Sequence, residues 1–296
     1  MVWRLWIYQL ISMKIIHQKT KTLITRDNGR SSDAVSPNFI YGCLGGCMNS
    51  YCYVGRYNHD KVYINENTDD ILQSIWDWLV DKPWPKAPNQ CDEKYYTIDI
   101  GCSTDVALMT KHYNWEHVFG WFDNHKMAKT TFATKYPTMF RPNEKFIIHP
   151  DKHRVRVSLM PQLYSDVLEP GTDTIEERIW SIPRLQQYME VHINFSPIVY
   201  TDGWLHEYRK LFQQLKAAGV DVKCECIFLT HNVHQHERNS DIVRDLLWRP
   251  DIQEAKDSQY AADNIRYQWQ LKKEMINQFT KLYSEFFDPA NIRYIF

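Results

Sequence analysis

Three cysteines, Cys43, Cys47 and Cys52, lie in the ten-residue stretch Cys-Leu-Gly-Gly-Cys-Met-Asn-Ser-Tyr-Cys. Thiolates supplied by one short loop are metal ligands, and three of them can hold three irons of a cubane cluster while leaving the fourth iron open to a small molecule. A structural zinc site shows two separated pairs of ligands, and no second pair matches this loop. Cys224 and Cys226 are one residue apart in the strand-like run Val222 to Leu229, on the same face, and read as small buried residues. Seven cysteines in 296 residues are sparse and odd in number, so a disulfide framework is not expected in a chain long enough to bury a core. The spacing favours a 4Fe-4S loop; zinc and ordinary thiols remain as the other readings.

His231, His234 and His236 invite a metal assignment, but their separations fit neither a helical pair nor a finger, and no acidic partner is spaced to complete a set. They are expected in a loop facing solvent or phosphate. A net charge of −1 gives no long-range positive field, so any nucleic-acid contact must come from a local patch. The chain is globular by its 44% hydrophobic content, and its many Trp, Tyr and Phe residues serve a core first and flat ligands second. The apolar opening from Met1 to Ile16 is interrupted by Arg4, Gln9 and Lys14, lacks a small-residue cleavage site and is too short to span a bilayer. It is expected to pack on the domain, with no membrane contact, in a reducing cytoplasm.

The elements that must position these residues follow a polar linker from Arg26 to Ser36. Strand-like runs are Asn38 to Tyr41, Tyr95 to Ile100, Thr130 to Thr134, Val155 to Leu159, Val191 to Ile198 and Val222 to Leu229. Helical patterns occupy Asp69 to Val80, with Ile71, Leu72, Ile75, Trp76 and Leu79 at helical spacing, then Thr174 to Met189, Trp204 to Ala218 and Gln268 to Phe287. Such alternation predicts a parallel α/β sheet covered by helices, doubly wound or curled into an open barrel. Ligands collect at the carboxyl ends of such strands, where Cys43, Cys102, Lys135, Ser158 and Ser196 all fall.

Several segments then resemble, in order and spacing, the spore photoproduct lyase family of radical S-adenosylmethionine enzymes. Beyond the cysteine loop these are Asp99-Ile-Gly-Cys-Ser-Thr-Asp105, Thr134-Lys135-Tyr136, Glu169-Pro-Gly-Thr172 with Glu176-Glu177-Arg178, and Phe195-Ser-Pro-Ile198 with Asp202-Gly-Trp204 and Tyr208. Leu246-Leu-Trp-Arg-Pro-Asp251 and Ile292-Arg-Tyr-Ile-Phe296 continue the likeness, which covers the chain from about Asn38 onward. One departure is the four residues Met48 to Tyr51 between the second and third cysteines, where the usual loop has two.

The resemblance implies a partial (β/α)6 open barrel with a C-terminal helical extension. It divides the chain into residues 1–37, an N-terminal extension and linker; 38–230, the barrel; and 231–296, a substrate- and DNA-contacting region. Cys43, Cys47 and Cys52 are then the ligands of a 4Fe-4S cluster whose open iron chelates S-adenosyl-L-methionine. Lys135 pairs with the methionine carboxylate, with Thr104, Ser158 and Ser196 hydrogen-bonding around the cofactor. A 5′-deoxyadenosyl radical takes a hydrogen from C6 of a thymine photodimer, the methylene bridge breaks, and Cys102 returns a hydrogen atom to the thymine methyl radical. Tyr51 and Tyr53 relay the resulting thiyl radical back.

The expected partners are thymine-containing DNA and an electron donor such as flavodoxin or ferredoxin, and the expected activity is that of a DNA-repair lyase. A base must leave the duplex to reach such a pocket. Arg244, Arg249, Arg266, Tyr267, Trp269 and Lys272 are available for phosphate and base contacts, although the stretch from Asp251 to Asn264 is acidic to neutral. Two other readings stand beside repair: a radical enzyme that rearranges a 5-substituted thymine in DNA, and a metal-bearing nucleic-acid-binding module.

Overall fold

The computed structural model describes residues 13–52, 60–142, 147–256 and 263–296. The chain forms two compact units: residues 1–44, 60–157 and 180–192 in the first, and 45–59, 158–179 and 193–296 in the second. The principal sheet has eight strands, in an α/β half-barrel of the class expected from the alternation of strand and helix patterns. No helix among the described residues is long and apolar enough to cross a membrane.

In the first unit, β1 (Lys14–Gln18), β2 (Arg26–Asp27), β3 (Ala34–Val35), β4 (Ile40–Tyr41) and β5 (Lys61–Asn65) precede α1 (Thr68–Val80), β6 (Tyr96–Asp99), α2 (Trp115–Asn124), β7 (Ala128–Thr134) and β8 (His153–Ser158). Its part of the principal sheet has the order β2-β3-β6-β7-β8, antiparallel between β2 and β3 and parallel from β3 onward. The expected first barrel strand, Asn38 to Tyr41, is not in this sheet. Its ordered part is β4, which pairs antiparallel with β5 in a separate three-stranded sheet completed by β1. The barrel strand is instead the two-residue β3, too short to show a period in the sequence, and it carries its register through Ala34–Ile98 and Val35–Asp99.

Helix α1 buries Ile71, Leu72, Ile75 and Leu79, with Asp69 and Asp70 in its first turn complementing the helix dipole. Trp76, expected on the same stripe, is 48% exposed. Phe119 of α2 packs edge-on against Phe132 of β7, with ring centroids 6.0 Å apart. At the amino ends of β7 and β8, Lys129, Arg154, Asp92 and Glu190 form a charge network with contacts of 2.7–3.1 Å, plus a close Lys129–Glu190 pair. This end of the strands is a stability feature, opposite the end where ligands collect.

The second unit contains α3 (Gln162–Leu168) and takes up parts of α4 (Ile175–Leu185) and β9 (Glu190–Ile198); it continues with α5 (Trp204–Ala217), β10 (Cys224–Phe228), β11 (Thr230–Asn232), α6 (Asp241–Leu247), β12 (Gln253–Ala255), β13 (Asn264–Tyr267), α7 (Trp269–Ser284) and β14 (Ile292–Ile295). Helix α4 opens with a capping box: Glu177 accepts from Thr174 N at 2.8 Å while Thr174 Oγ1 accepts from Glu177 N at 3.2 Å. Strands β9, β10 and β14 run parallel, and Leu159 N donates to Asn194 O of β9 at 3.0 Å. Cys224 and Cys226 are fully buried in β10, as their alternation indicated. Phe195, Tyr208, Phe212 and Phe279 pack edge to face with one another, with centroids 5.2–6.5 Å apart. The C-terminal region adds strands as well as helices, because β14 returns to the principal sheet and β11-β13-β12 form a small antiparallel one.

Candidate active site

In the first unit, the segment after β6 is built around Asp99 and Asp105. Asp99 Oδ1 accepts from Gly101 N at 2.9 Å, and Arg156 Nη2 of β8 holds its other oxygen at 2.6 Å. Gly101 fits because a Cβ there would lie 3.0 Å from both Phe132 Cβ and Val106 Cγ2. Asp105 accepts from Thr134 Oγ1 and from Lys135 N, each at 2.8 Å, so one carboxylate ties this loop to the carboxyl end of β7. Burial pushes the Asp105 carboxyl above its usual range, against the pull of those donors.

Cys102, Thr104 and Lys135 are thereby brought to one end of β6 and β7. Cys102 is half-exposed, whereas Cys91, Cys224 and Cys226 are buried. Thr104 is buried, and its Oγ1 has no hydrogen-bond partner among the described residues. Cys43 belongs to the same unit: Gly42 N donates to Ser103 O at 3.1 Å, which registers the residue before Cys43 on the segment that carries Cys102. Gly42 has φ +103°, and a Cβ there would sit 2.6 Å from Lys61 O, so only glycine fits.

In the second unit, Cys47 and Cys52 flank Tyr51. Cys47 O accepts from Ser50 N at 3.2 Å and Cys52 N at 3.3 Å, curling the gap back on itself. Tyr51 donates a short hydrogen bond to Glu169, whose other oxygen pairs with Arg178 Nη1 at 2.7 Å; both members of that pair are fully buried. Arg178 also donates to Ser158 O at 2.9 Å, to Asp173 O at 2.8 Å and to Thr172 Oγ1 at 2.5 Å. Burial, then the Glu169 charge, push the Tyr51 phenol well above its usual value, with the charge of a Cys47 thiolate, the hydrogen bond to Glu169 and the charge of a Cys52 thiolate adding to the rise. Ser158 is buried at the end of β8, and Ser196 is half-exposed in β9 beside buried Asn194, whose Oδ1 has no partner among the described residues. Tyr53 lies outside the described residues.

The residues fit the groups that the sequence implied. Three thiols on one loop are the residue types that a 4Fe-4S cluster takes as ligands, and the buried Thr104 hydroxyl, with no protein partner among the described residues, is compatible with a ligand contact. Among the described residues no three His, Cys, Asp or Glu side chains are gathered around one point. Cubane ligands each bind a different iron and so do not converge as the ligands of a single ion do.

Sequence reasoning gave no role to Asp105, Glu169 or Arg178. The resemblance singled out the segments that carry them, but the contacts that tie them to Tyr51, Lys135 and one another span 9 to 118 positions, which no local pattern shows. The histidine expectation is corrected: His231 and His236 are buried, packed edge to face with centroids 4.5 Å apart, and His236 lies 4.6 Å from Trp248. Strand β11 points His231 inward, and only His234 faces out, 3.4 Å from Asp263. Among the residues expected to meet DNA, Tyr267 and Lys272 are buried, while Arg244, Arg249 and Arg266 pair with Asp241, Asp251 and Glu254.

The spore photoproduct lyase family profile matches residues 8–296. The spore photoproduct lyase of Bacillus subtilis (strain 168) is 24% identical over 196 residues, covering 65% of this chain and 54% of that protein. The chain thus matches about half the length of that relative. A solved structure of spore photoproduct lyase complexed with dinucleoside spore photoproduct superposes with a TM-score of 0.79 at 17% identity, covering 95% of this chain and 82% of the other. A doubly substituted spore photoproduct lyase with bound AdoMet and dinucleoside spore photoproduct matches equally, with a TM-score of 0.79, 17% identity and the same coverage. These likenesses establish a shared fold.

Proposed function

Because this chain belongs to the spore photoproduct lyase family, we propose that it is a radical S-adenosylmethionine lyase that reverses a thymine photodimer in DNA. The observation that carries this reading is Cys102: outside the cysteine loop it is the one cysteine that is not buried, and it sits on a segment braced at both ends by buried carboxylate contacts. A hydrogen-atom donor must be reachable and must not drift.

Cys43, Cys47 and Cys52 hold the cluster through three thiolates. When bound, the cluster and S-adenosylmethionine would supply the radical chemistry that abstracts a hydrogen from the dihydrothymine half of the lesion. Lys135 meets the methionine carboxylate from the end of β7, where Asp105 fixes its backbone. Thr104 offers its unpartnered hydroxyl, and Ser158 and Ser196 add polar contacts from the ends of β8 and β9. Cys102 gives its S–H hydrogen to the thymine methyl radical: the S–H bond breaks, a C–H bond forms, and a thiyl radical is left. Tyr51 and Tyr53 would relay that radical back towards the adenosine: a tyrosine O–H hydrogen goes to the sulfur, and the hydrogen that restores the tyrosine comes from the 5′-deoxyadenosine formed in the first abstraction. The reading includes a flipped thymine pair as substrate, residues 231–296 as its contact region, a flavodoxin or ferredoxin as reductant and a cytoplasmic setting.

The test is anaerobic incubation of reconstituted protein with reductant, S-adenosylmethionine and an oligonucleotide bearing the photoproduct, followed by mass spectrometry. Restored thymines with 5′-deoxyadenosine support repair. Turnover only of a 5-substituted thymidine, or DNA binding without cleavage of S-adenosylmethionine, refutes it.

A further inference from the structure

The gap between Cys47 and Cys52 holds four residues, and every residue left unfixed adds backbone entropy that ligand capture must remove. This gap is fixed from outside as well as from within. Ser50 Oγ donates to Leu168 O at 2.5 Å, Asn239 Nδ2 donates to Ser50 O at 3.1 Å, and Gln235 Nε2 donates to Cys52 O at 2.9 Å. Gln235 and Asn239 are themselves buried, so neither amide has bulk water as an alternative partner.

Both amides belong to one turn. Asn232 Oδ1 accepts from His234 N at 3.0 Å to start it, and His236 N, Arg238 N and Asn239 N bond back to Val233 O, Gln235 O and His236 O at 3.1–3.3 Å. Beneath it lie the His231 and His236 rings and Trp248. Burial holds both imidazoles neutral, so the turn rests on an uncharged aromatic floor.

We infer that Gln235 and Asn239 are positioning residues that hold the widened cysteine loop ready for its cluster, with the His231–His236–Trp248 packing as their support. The inference rests on the cluster reading of the loop. Replacing Gln235 by a side chain without donors removes the partner of the Cys52 carbonyl, and replacing Asn239 leaves the buried Ser50 carbonyl unsatisfied; either change loosens the Cys47–Cys52 gap.

The experiment compares the full chain with Gln235→Met, Asn239→Leu and the double variant, in two measurements. In reconstituted protein, iron loss to a chelator accelerates about fivefold for each donor removed, at ~1 kcal/mol per hydrogen bond, and by more than either single change in the double variant, whose two sites share one turn and one loop. In iron-free protein, alkylation of Cys52, followed by peptide mass spectrometry, accelerates by similar factors while Cys91 and Cys102 react at unchanged rates. Wild-type iron loss together with wild-type Cys52 alkylation overturns the inference. If wild-type protein takes up no iron or sulfide, the cluster reading fails, and the alkylation measurement alone decides the clamp. Should the double variant not fold, the two single variants carry the comparison.

Discussion

Glu169→Gln separates the charge of the buried Glu169–Arg178 pair from its shape. Gln still offers an oxygen to the Tyr51 hydroxyl, but the guanidinium loses its counter-ion where both side chains have no solvent exposure. Removing one partner of such a pair costs roughly 3–5 kcal/mol, mainly because the other charge stays buried and uncompensated. Arg178 keeps Ser158 O, Asp173 O and Thr172 Oγ1 as acceptors, which places the expected loss at the lower end, ~3 kcal/mol. Urea unfolding of the iron-free chain reads this directly, as a midpoint about 1 M lower for a slope near ~3 kcal/mol/M. Converting both residues, as Glu169→Met with Arg178→Met, recovers most of the loss because no charge is then stranded. A single-variant loss below ~1 kcal/mol, or a double variant no better than the single, refutes the pair as the anchor of Tyr51.

Acid should weaken the fold through three histidines. Burial, helped by His236 for His231, Arg244 for His236 and Lys152 for His125, lowers them to about 3, about 4 and about 4, from 6.5. The unfolded chain binds more protons than the folded one between about 4 and 6.5. Their contribution is therefore complete above that window and is lost as pH falls through it. At pH 5 the loss is ~2 kcal/mol for His231 and about half that for His125 and His236, which solvent screens more. His231→Leu should flatten the stability–pH curve by its share; an unchanged curve refutes the assignment. Cys102→Ala should keep cluster absorbance and cofactor cleavage yet divert product to trapped or oxidised thymine species, and clean repair by that variant removes it as donor. Gly42→Ala should lower the melting temperature and the iron content together, because its φ of +103° and the 2.6 Å approach to Lys61 O leave no room for a methyl group. Full iron loading at the wild-type melting temperature would count against that strain.

The long elements were legible because their signals are periodic and local. The strand patterns of β6 to β10 and the helical patterns of α1, α4, α5 and α7 match the observed elements to within a few residues at most ends. Short elements were not: β2 and β3 have two residues each, and the helices α2, α3 and α6 carry seven to ten, while β4 was legible as a strand but not as a member of a separate sheet. Trp76 misled because helical spacing says which residues share a face, not how far the cover over that face extends. At the site, the residue types that do chemistry could be picked out, but what holds them could not. Asp105 acts on Lys135 from 30 positions away, and Glu169 acts on Tyr51 from 118. The histidine trio shows the converse, since a spacing without metal-ligand geometry leaves burial and exposure equally open until β11, for His231, and the 3-10 turn after it, for His234 and His236, place each ring.

The bond from Gly42 N to Ser103 O aligns the backbone beside Cys43 with the backbone beside Cys102 through main-chain atoms alone. Any sequence can make that bond provided position 42 stays glycine, so mutational drift over most of the surrounding surface leaves the alignment intact. In this chain one fixed point thus guards the relation between Cys43 and Cys102, the thiols proposed above as cluster ligand and hydrogen donor, and a saturation library at position 42 is expected to tolerate almost no change.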